Sequence, residues 1–109
     1  MSRIHLVQPE EATGNASELL SAVKAGMGMV PNLTKVMANA PGVLQQYLSS
    51  HEALESGQLA ATEREQIALR VAELNECHYC LSAHCAIGKM KGLDGEEIIQ
   101  NRGGRSGTG

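Results

Sequence analysis

Apolar side chains recur at intervals of three and four residues along most of the chain, which is typical of amphipathic helices. In the first half, Ser17 is placed to cap a short helix that ends in the glycine-rich stretch 26–28. Pro31 opens a second short helix, and Pro41 suits the first turn of a third. A break at residues 57–59 ends the third helix, so the first half is predicted to contain three helices.

The clearest signal for a helix start lies just after the middle of the chain. Thr62 and Glu65 have the spacing of a capping box, and the apolar positions that follow them continue to Leu74. Asn75 and Glu76 interrupt that pattern. We therefore predict a helix that begins near the capping box and ends in a turn at these two residues.

A further helix is predicted from Cys77 or His78 to Met90, with Gly92 as its terminator. Residues 94–97 have the spacing of a second capping box and open a last short helix. The cysteines at the start of the longer helix therefore lie at a helix N-terminus.

The composition agrees with an all-α fold. There is no Phe or Trp and there are only two Tyr, so Leu, Ile, Val, Met and Ala must form the core, and this set favours helices. A length of 109 residues allows one domain, which we predict over residues 1–100. Residues 101–109 are glycine-rich and are predicted to form a flexible tail.

Charge and hydropathy narrow the possible partners and the compartment. The chain has a net charge of -3, a pI near 5.8 and no long basic run. This charge distribution gives no indication that it binds nucleic acid or an anionic membrane. Residues 1–13 contain no continuous apolar stretch like a secretory leader, and no run of about 18 apolar residues occurs. We expect a cytoplasmic protein, in which three clustered cysteines indicate redox catalysis or metal binding.

The segment from Cys77 to His84 is the one that suggests chemistry. On a helix, Cys77, Cys80 and His84 fall within roughly 60° of each other. The two cysteine Cα atoms would be roughly 5 Å apart, which a disulfide tolerates. The helix N-terminus favours a thiolate, and His84 lies one turn beyond Cys80 and can accept its proton. Cys80 is therefore the candidate nucleophile and Cys77 the resolving cysteine of a dithiol/disulfide cycle.

A histidine that acts as a base is commonly oriented by a carboxylate. The preceding helix offers four candidates, which are Glu63, Glu65, Glu73 and Glu76. Periodicity does not choose among them. Glu65 has a competing structural interpretation, because its spacing from Thr62 is that of a cap.

The spacing Glu65-x11-Cys77-x2-Cys80-x3-His84 resembles the core of the alkylhydroperoxidase AhpD-like branch of the carboxymuconolactone decarboxylase family. The flanks resemble that family as well, and together the similarity covers roughly residues 30 to 100. These flanks are residues 67–75, 92–94 and 97–98, together with the upstream positions 31–33 and 41.

The resemblance implies an all-helical fold with the site on a helical hairpin, and assembly as a homo-oligomer, often a trimer or hexamer. It also implies a thiol-dependent peroxidase, an antioxidant enzyme of the peroxiredoxin type that reduces alkyl hydroperoxides or hydrogen peroxide. Cys80 would attack the peroxide, Cys77 would resolve it, and His84 with Glu65 would move the proton. No cofactor is expected, and the reductant would be a dithiol or a protein. The cap and proton-relay roles of Glu65 are compatible.

Two departures from the family pattern are visible. The best-known members have a histidine immediately before the second cysteine, whereas this chain has Tyr79 there, and His78 does not inherit that role. Tyr79 is a possible accessory residue, because a phenol can donate a hydrogen bond to a peroxide or thiolate, although packing is the commoner use of such a tyrosine. The second departure is length, since family chains commonly continue with further helices.

Several alternatives stay open at this stage. Cys77, Cys80 and His84 are plausible ligands of a structural zinc, but Cys85 points roughly 140° away from Cys80 and no second ligand pair occurs, so no metal is expected. A thiol-disulfide oxidoreductase with a protein substrate would use the same cysteines. A carboxymuconolactone decarboxylase-like enzyme would not depend on the cysteine pair. In a structural helical oligomer, the thiols would have no role.

Overall fold

The computed structural model describes residues 2–105, and these form six α-helices and no β-strand, which confirms the all-α prediction. Contacts group the chain into two compact units, Met1–Leu54 and Glu55–Gly109, where the sequence predicts one domain over residues 1–100. The helices are α1 (Gly14–Met27), α2 (Asn32–Met37), α3 (Pro41–Glu55), α4 (Ala61–Leu74), α5 (His78–Met90) and α6 (Gly95–Arg102).

The first unit contains the three helices predicted for that part of the chain. Helix α1 ends at Met27 and is capped by Gly28, which adopts a φ of 81° that is easy for glycine. Pro41 is the first residue of α3 as predicted. The cap prediction at Ser17 is wrong, because α1 begins at Gly14 and Ser17 lies inside it. A buried cluster of apolar side chains joins α1 to the following segments, namely Leu20, Val23, Ala38 and Leu44.

Helix α4 begins earlier than the capping-box spacing indicates. Ala60 is the N-cap residue, and its backbone N–H donates to the carboxylate of Glu63 at 2.9 Å. The predicted box of Thr62 and Glu65 is therefore wrong. The helix starts at Ala61, so Glu63 occupies the position from which a side chain reaches back to the cap. Glu65 lies in the second turn and its carboxylate is available to a neighbouring helix.

The predicted turn at Asn75 and Glu76 is present, and it connects α4 directly to α5. The N–H of Cys77 donates to the carbonyl of Ala72 at 3.0 Å, and the N–H of Glu76 donates to the carbonyl of Glu73 at 3.1 Å. These two bonds form a Schellman motif, with Glu76 in the left-handed conformation at φ 52°. Cys77 thus closes one helix and opens the next.

The second unit packs α5 and α6 against α4. Its buried cluster is Leu69, Leu93 and Ile98, with half-buried Cys85 against it. Gly88 allows close packing, since a Cβ there would lie 3.3 Å from Leu93 Cδ1. Helix α5 ends at Met90 as the sequence predicts. The three helices therefore form one small core that holds the cysteine-bearing turn.

The end of α6 is fixed to α4 by two arginines. Arg102 Nε donates to Glu73 at 2.8 Å, and Arg70 donates to the carbonyl of Arg102 at 2.8 Å. Helix α6 extends to Arg102, two residues into the segment 101–109 for which a flexible tail is predicted. Asn101 in this last turn is buried. Residues 106–109 of that tail lie outside the described residues. Within residues 2–105, no helix has the length and apolar character that crossing a membrane requires.

Candidate active site

The cysteine pair lies at the first turn of α5. Cys77 is the N-cap residue, and its Sγ accepts a hydrogen bond from the backbone N–H of Cys80 at 3.2 Å. The two residues form a disulfide, with their Cα atoms 5.2 Å apart. The separation agrees with the one that helical spacing predicts, and the pair is therefore able to close a disulfide within the chain.

Glu65 and His84 meet across the α4–α5 hairpin. Their side chains are hydrogen-bonded at 2.7 Å between Oε2 and Nδ1. Because a carboxylate only accepts, the proton of this bond is on Nδ1. Nε2 of His84 is then the nitrogen left to accept a proton from another group. Glu65 is 14% exposed and His84 28%, so the pair is largely shielded from water.

The other three carboxylate candidates have different positions and contacts. Glu63 accepts the Ala60 N–H at the start of α4, and Glu73 is paired with Arg102. Glu76 is exposed in the turn. Glu65 is therefore the one of the four that the hairpin brings to His84, a choice that periodicity alone did not make.

The hairpin brings together the four residues that the sequence singled out for catalysis. Cys77 is bonded to Cys80, His84 follows Cys80 by one turn of α5, and Glu65 reaches His84 from α4. This arrangement offers a pair of sulfurs that can exchange electrons and an oriented imidazole on the same helix. The catalytic roles of these residues stay predictions.

The residues around the pair differ in their exposure. Tyr79, adjacent to Cys80, is 48% exposed, and His78 is exposed as well. The accessory role of Tyr79 stays a prediction. Cys85 is a half-buried free thiol that packs against the buried cluster of the second unit.

Sequence reasoning missed one contact of chemical interest, the bond from the Cys80 N–H to the sulfur of Cys77. The sequence predicted a helix start at Cys77 or His78 without choosing between them. The choice matters because only an N-cap residue three positions before Cys80 presents its side chain to that amide. The signal available in the sequence was a cysteine three residues before Cys80, which is the spacing of an N-cap side chain from the amide that it accepts.

Metal ligation was the alternative use of the same residues. Among residues 2–105, no group of three or more His, Cys, Asp and Glu side chains is arranged to hold a metal ion. The sulfurs of Cys77 and Cys80 are bonded to each other.

Comparison with known protein families gives a match. The model of the carboxymuconolactone decarboxylase family matches residues 41–106, which is more than half of the chain. The matched range includes Glu65, Cys77, Cys80 and His84. No curated protein and no solved structure matches the chain.

Proposed function

Because the chain belongs to the carboxymuconolactone decarboxylase family, we propose that it is a thiol-dependent peroxidase of the AhpD-like branch. The observation that supports this proposal is the hydrogen bond between Glu65 and His84, one turn from the Cys77–Cys80 disulfide. Decarboxylation would not need two sulfurs at bonding distance. A peroxidase that works through a dithiol cycle uses both sulfurs and a base.

In the first step, the Cys80 thiolate attacks the terminal oxygen of an alkyl hydroperoxide or hydrogen peroxide. A sulfur–oxygen bond forms, the oxygen–oxygen bond breaks, and an alcohol or water leaves. His84 takes the thiol proton through Nε2 and returns it to the leaving oxygen. Glu65 accepts the Nδ1 hydrogen bond and stabilises the imidazolium that exists between these two proton transfers.

In the second step, the Cys77 thiol loses its proton and its sulfur attacks the sulfur of the Cys80 sulfenic acid. The disulfide forms, the sulfur–oxygen bond breaks, and the leaving hydroxide takes up the proton from Cys77 to give water. Two electrons have then moved from the two thiols to the peroxide. A dithiol reductant, either a small molecule or a protein, must return them.

The same disulfide supports a second candidate, a thiol-disulfide oxidoreductase that acts on a protein substrate. Cys77 Sγ accepts a backbone amide at the start of α5, and thiols in such positions exchange readily with other disulfides. The two candidates differ in the oxidant. One uses a peroxide and the other a protein disulfide.

The test is to mix the reduced, metal-free protein with an organic hydroperoxide and count free thiols. The chain has three cysteines, so closing the Cys77–Cys80 disulfide leaves one thiol, on Cys85. Cys80→Ser should abolish peroxide consumption, and Cys77→Ser should leave Cys80 oxidised without closing the disulfide. Cys85→Ser is the matched control and should consume peroxide as the wild type does.

Three outcomes decide against all or part of the proposal. If all three thiols persist in the presence of peroxide, the protein is not a peroxidase. Comparable peroxide consumption by the wild type and Cys80→Ser would remove Cys80 as the nucleophile. Oxidation of the reduced pair by a protein disulfide, without any reaction with peroxide, would favour the oxidoreductase.

We also propose that copies of the chain assemble into a homo-oligomer and act in the cytoplasm. Ile67, Val71 and Leu74 are each at least half exposed and share one side of α4, roughly opposite buried Leu69. Such an apolar stripe is typical of helices that pack against another surface. A dithiol cycle suits the cytoplasm because reductants there keep thiols reduced.

A further inference from the structure

The two sulfurs of the disulfide have different surroundings. Sγ of Cys77 lies at the N-cap of α5 and accepts the backbone N–H of Cys80 at 3.2 Å. Cys80 lies inside the first turn, one turn before His84. The donor to Cys77 is a backbone group, so it is present whatever the protonation state of the imidazole.

The hydrogen bond to Cys77 affects which sulfur leaves when the disulfide is broken. When a thiolate attacks one sulfur, the other sulfur leaves as an anion, and the reaction is faster when that anion is stabilised. The positive end of the helix dipole acts on both residues, because both lie at the first turn of α5, whereas the Cys80 N–H donates to Sγ of Cys77 and stabilises negative charge there. Cys77 is therefore the better leaving group of the two.

We infer that the reductant attacks Sγ of Cys80 and that Cys77 leaves as the thiolate, an inference that rests on the proposed dithiol cycle. It assigns the mixed disulfide between protein and reductant to Cys80. Cys80 is then the residue that meets both substrates, the peroxide and the dithiol. Cys77 reacts only with its neighbour.

A dithiol reductant opens the disulfide in two exchange steps. One reductant thiolate attacks Cys80, a new sulfur–sulfur bond forms, and the Cys77–Cys80 bond breaks. The second reductant thiol loses its proton and attacks the reductant sulfur in the mixed disulfide, which closes the reductant's own disulfide and releases the Cys80 thiolate. The two protons of the dithiol end on Cys77 and Cys80, and two electrons have passed to the protein.

The same contact serves the forward reaction. The Cys80 amide stabilises Cys77 as a thiolate, which is the form that attacks the Cys80 sulfenic acid. A group that is a stable leaving anion in reduction is thus ready as the nucleophile in resolution. The hydrogen bond from the Cys80 N–H to Cys77 Sγ therefore assists both the formation and the reduction of the disulfide.

The experiment uses the full chain, oxidised with diamide rather than peroxide, and β-mercaptoethanol as the attacking probe. Early time points are quenched in acid, free thiols are alkylated with N-ethylmaleimide, and fragment-ion mapping locates the adduct. We expect β-mercaptoethanol on Cys80 and the alkyl group on Cys77, with an excess over the reverse pattern of about tenfold. Equal amounts, an excess on Cys77, or no adduct would overturn the inference.

Two variants sharpen the result. Cys85→Ser removes the third thiol as a source of exchange, and the excess on Cys80 should persist in it. His84→Gln leaves the backbone amide in place, so the excess should persist there too; its disappearance would mean that the imidazole sets the direction of attack. Because no peroxide is used, a protein that fails as a peroxidase still reports which sulfur is attacked.

Discussion

His84 on α5 donates its Nδ1 proton to Oε2 of Glu65 on α4, and 2.7 Å separate the two atoms. The bond joins residues 19 positions apart and is largely shielded from water. It fixes the ring orientation and the tautomer together, because only Nε2 remains free to take a proton. Any proton transfer that His84 performs at Cys80 therefore depends on Glu65.

We expect His84→Gln to lower the rate of peroxide consumption by about 100-fold or more, since it removes the proposed general base. Glu65→Gln should lower the rate less, because the imidazole remains but its tautomer and orientation are no longer fixed. The double variant should be no slower than His84→Gln, since residues that act as a unit are not additive. Stopped-flow peroxide consumption at saturating reductant measures all three rates.

Glu63→Gln is the matched control for this series. Glu63 lies on the same helix, but its carboxylate accepts the Ala60 N–H at the cap, and glutamine can make the same bond. Its rate should equal that of the wild type. A rate for Glu65→Gln equal to that of this control would mean that Glu65 has no part in the reaction.

Glu76 precedes the redox pair in a conformation that suits glycine, with a φ of 52°. A left-handed backbone costs a residue with a Cβ about 1–2 kcal/mol, and glycine is the usual residue at this position of a Schellman motif. We expect Glu76→Gly to raise the free energy of unfolding by about 0.5–1 kcal/mol, after the greater entropy of glycine in the unfolded chain is subtracted. Urea unfolding of the oxidised protein measures the change.

The control for the turn is the adjacent residue. Asn75 has a φ of -89°, which any residue adopts, so Asn75→Gly relieves no backbone strain. Because glycine has greater entropy in the unfolded chain, this variant should lower the free energy of unfolding. If both glycine variants change stability in the same direction, the left-handed backbone of Glu76 is not the cause.

The bounds of α5 were predictable because local signals define them. A helix from Cys77 or His78 to Met90 follows from the turn before it, the apolar spacing within it and Gly92 after it. The disulfide spacing follows from the same helix geometry. For this part of the site, the residue pattern and the structure agree.

The caps of α1 and α4 were not predictable in the same way. Ser17 and Thr62 both have side chains that suit an N-cap, yet each lies inside its helix. Several polar residues near a helix start compete for that position, and the backbone conformation before the helix chooses among them. The wrong cap at Thr62 also assigned a structural role to Glu65, whose carboxylate contacts α5 instead.

The left-handed residue of the turn and the end of α6 were not predictable from the sequence pattern. Position 76 is a glutamate and not a glycine, so nothing in the sequence indicated that this residue adopts a positive φ. Asn101 is polar and precedes a glycine-rich stretch, but its Nδ2 donates to the carbonyl of Arg105 and it is buried at the end of α6. Arg70, 32 positions away from Arg102, donates to the backbone there, a contact that periodicity does not reveal.

The leading segment before α1 offers a pH-dependent contact. The hydrogen bond from His5 holds the pKa of the Glu11 carboxyl below its ordinary value of 4.5, and the Gln8 N–H lowers it further. Since the pKa is lower in the folded state, this contact stabilises the fold above pH 4.5 or so, and the stabilisation is lost as the pH falls through the folded value. We expect His5→Ala to raise the pKa of Glu11 toward its ordinary value.

An NMR titration that follows the side-chain carboxyl carbon of Glu11 measures this shift. The pKa in His5→Ala should stay somewhat below the ordinary value, because the Gln8 N–H still donates at 3.1 Å. An unchanged midpoint in the variant would show that the histidine does not contribute.

The disulfide closes a loop of only four residues, and a loop this short restricts the unfolded chain little. We therefore expect reduction to lower the free energy of unfolding by about 2 kcal/mol at most, and the reduced protein to remain folded. A redox cycle requires this, because both forms must keep Glu65 beside His84. Urea unfolding with and without a dithiol measures the difference, and the double variant Cys77→Ser/Cys80→Ser should not respond to the dithiol. A reduced protein that is unfolded without urea would contradict the expectation and the proposed cycle with it.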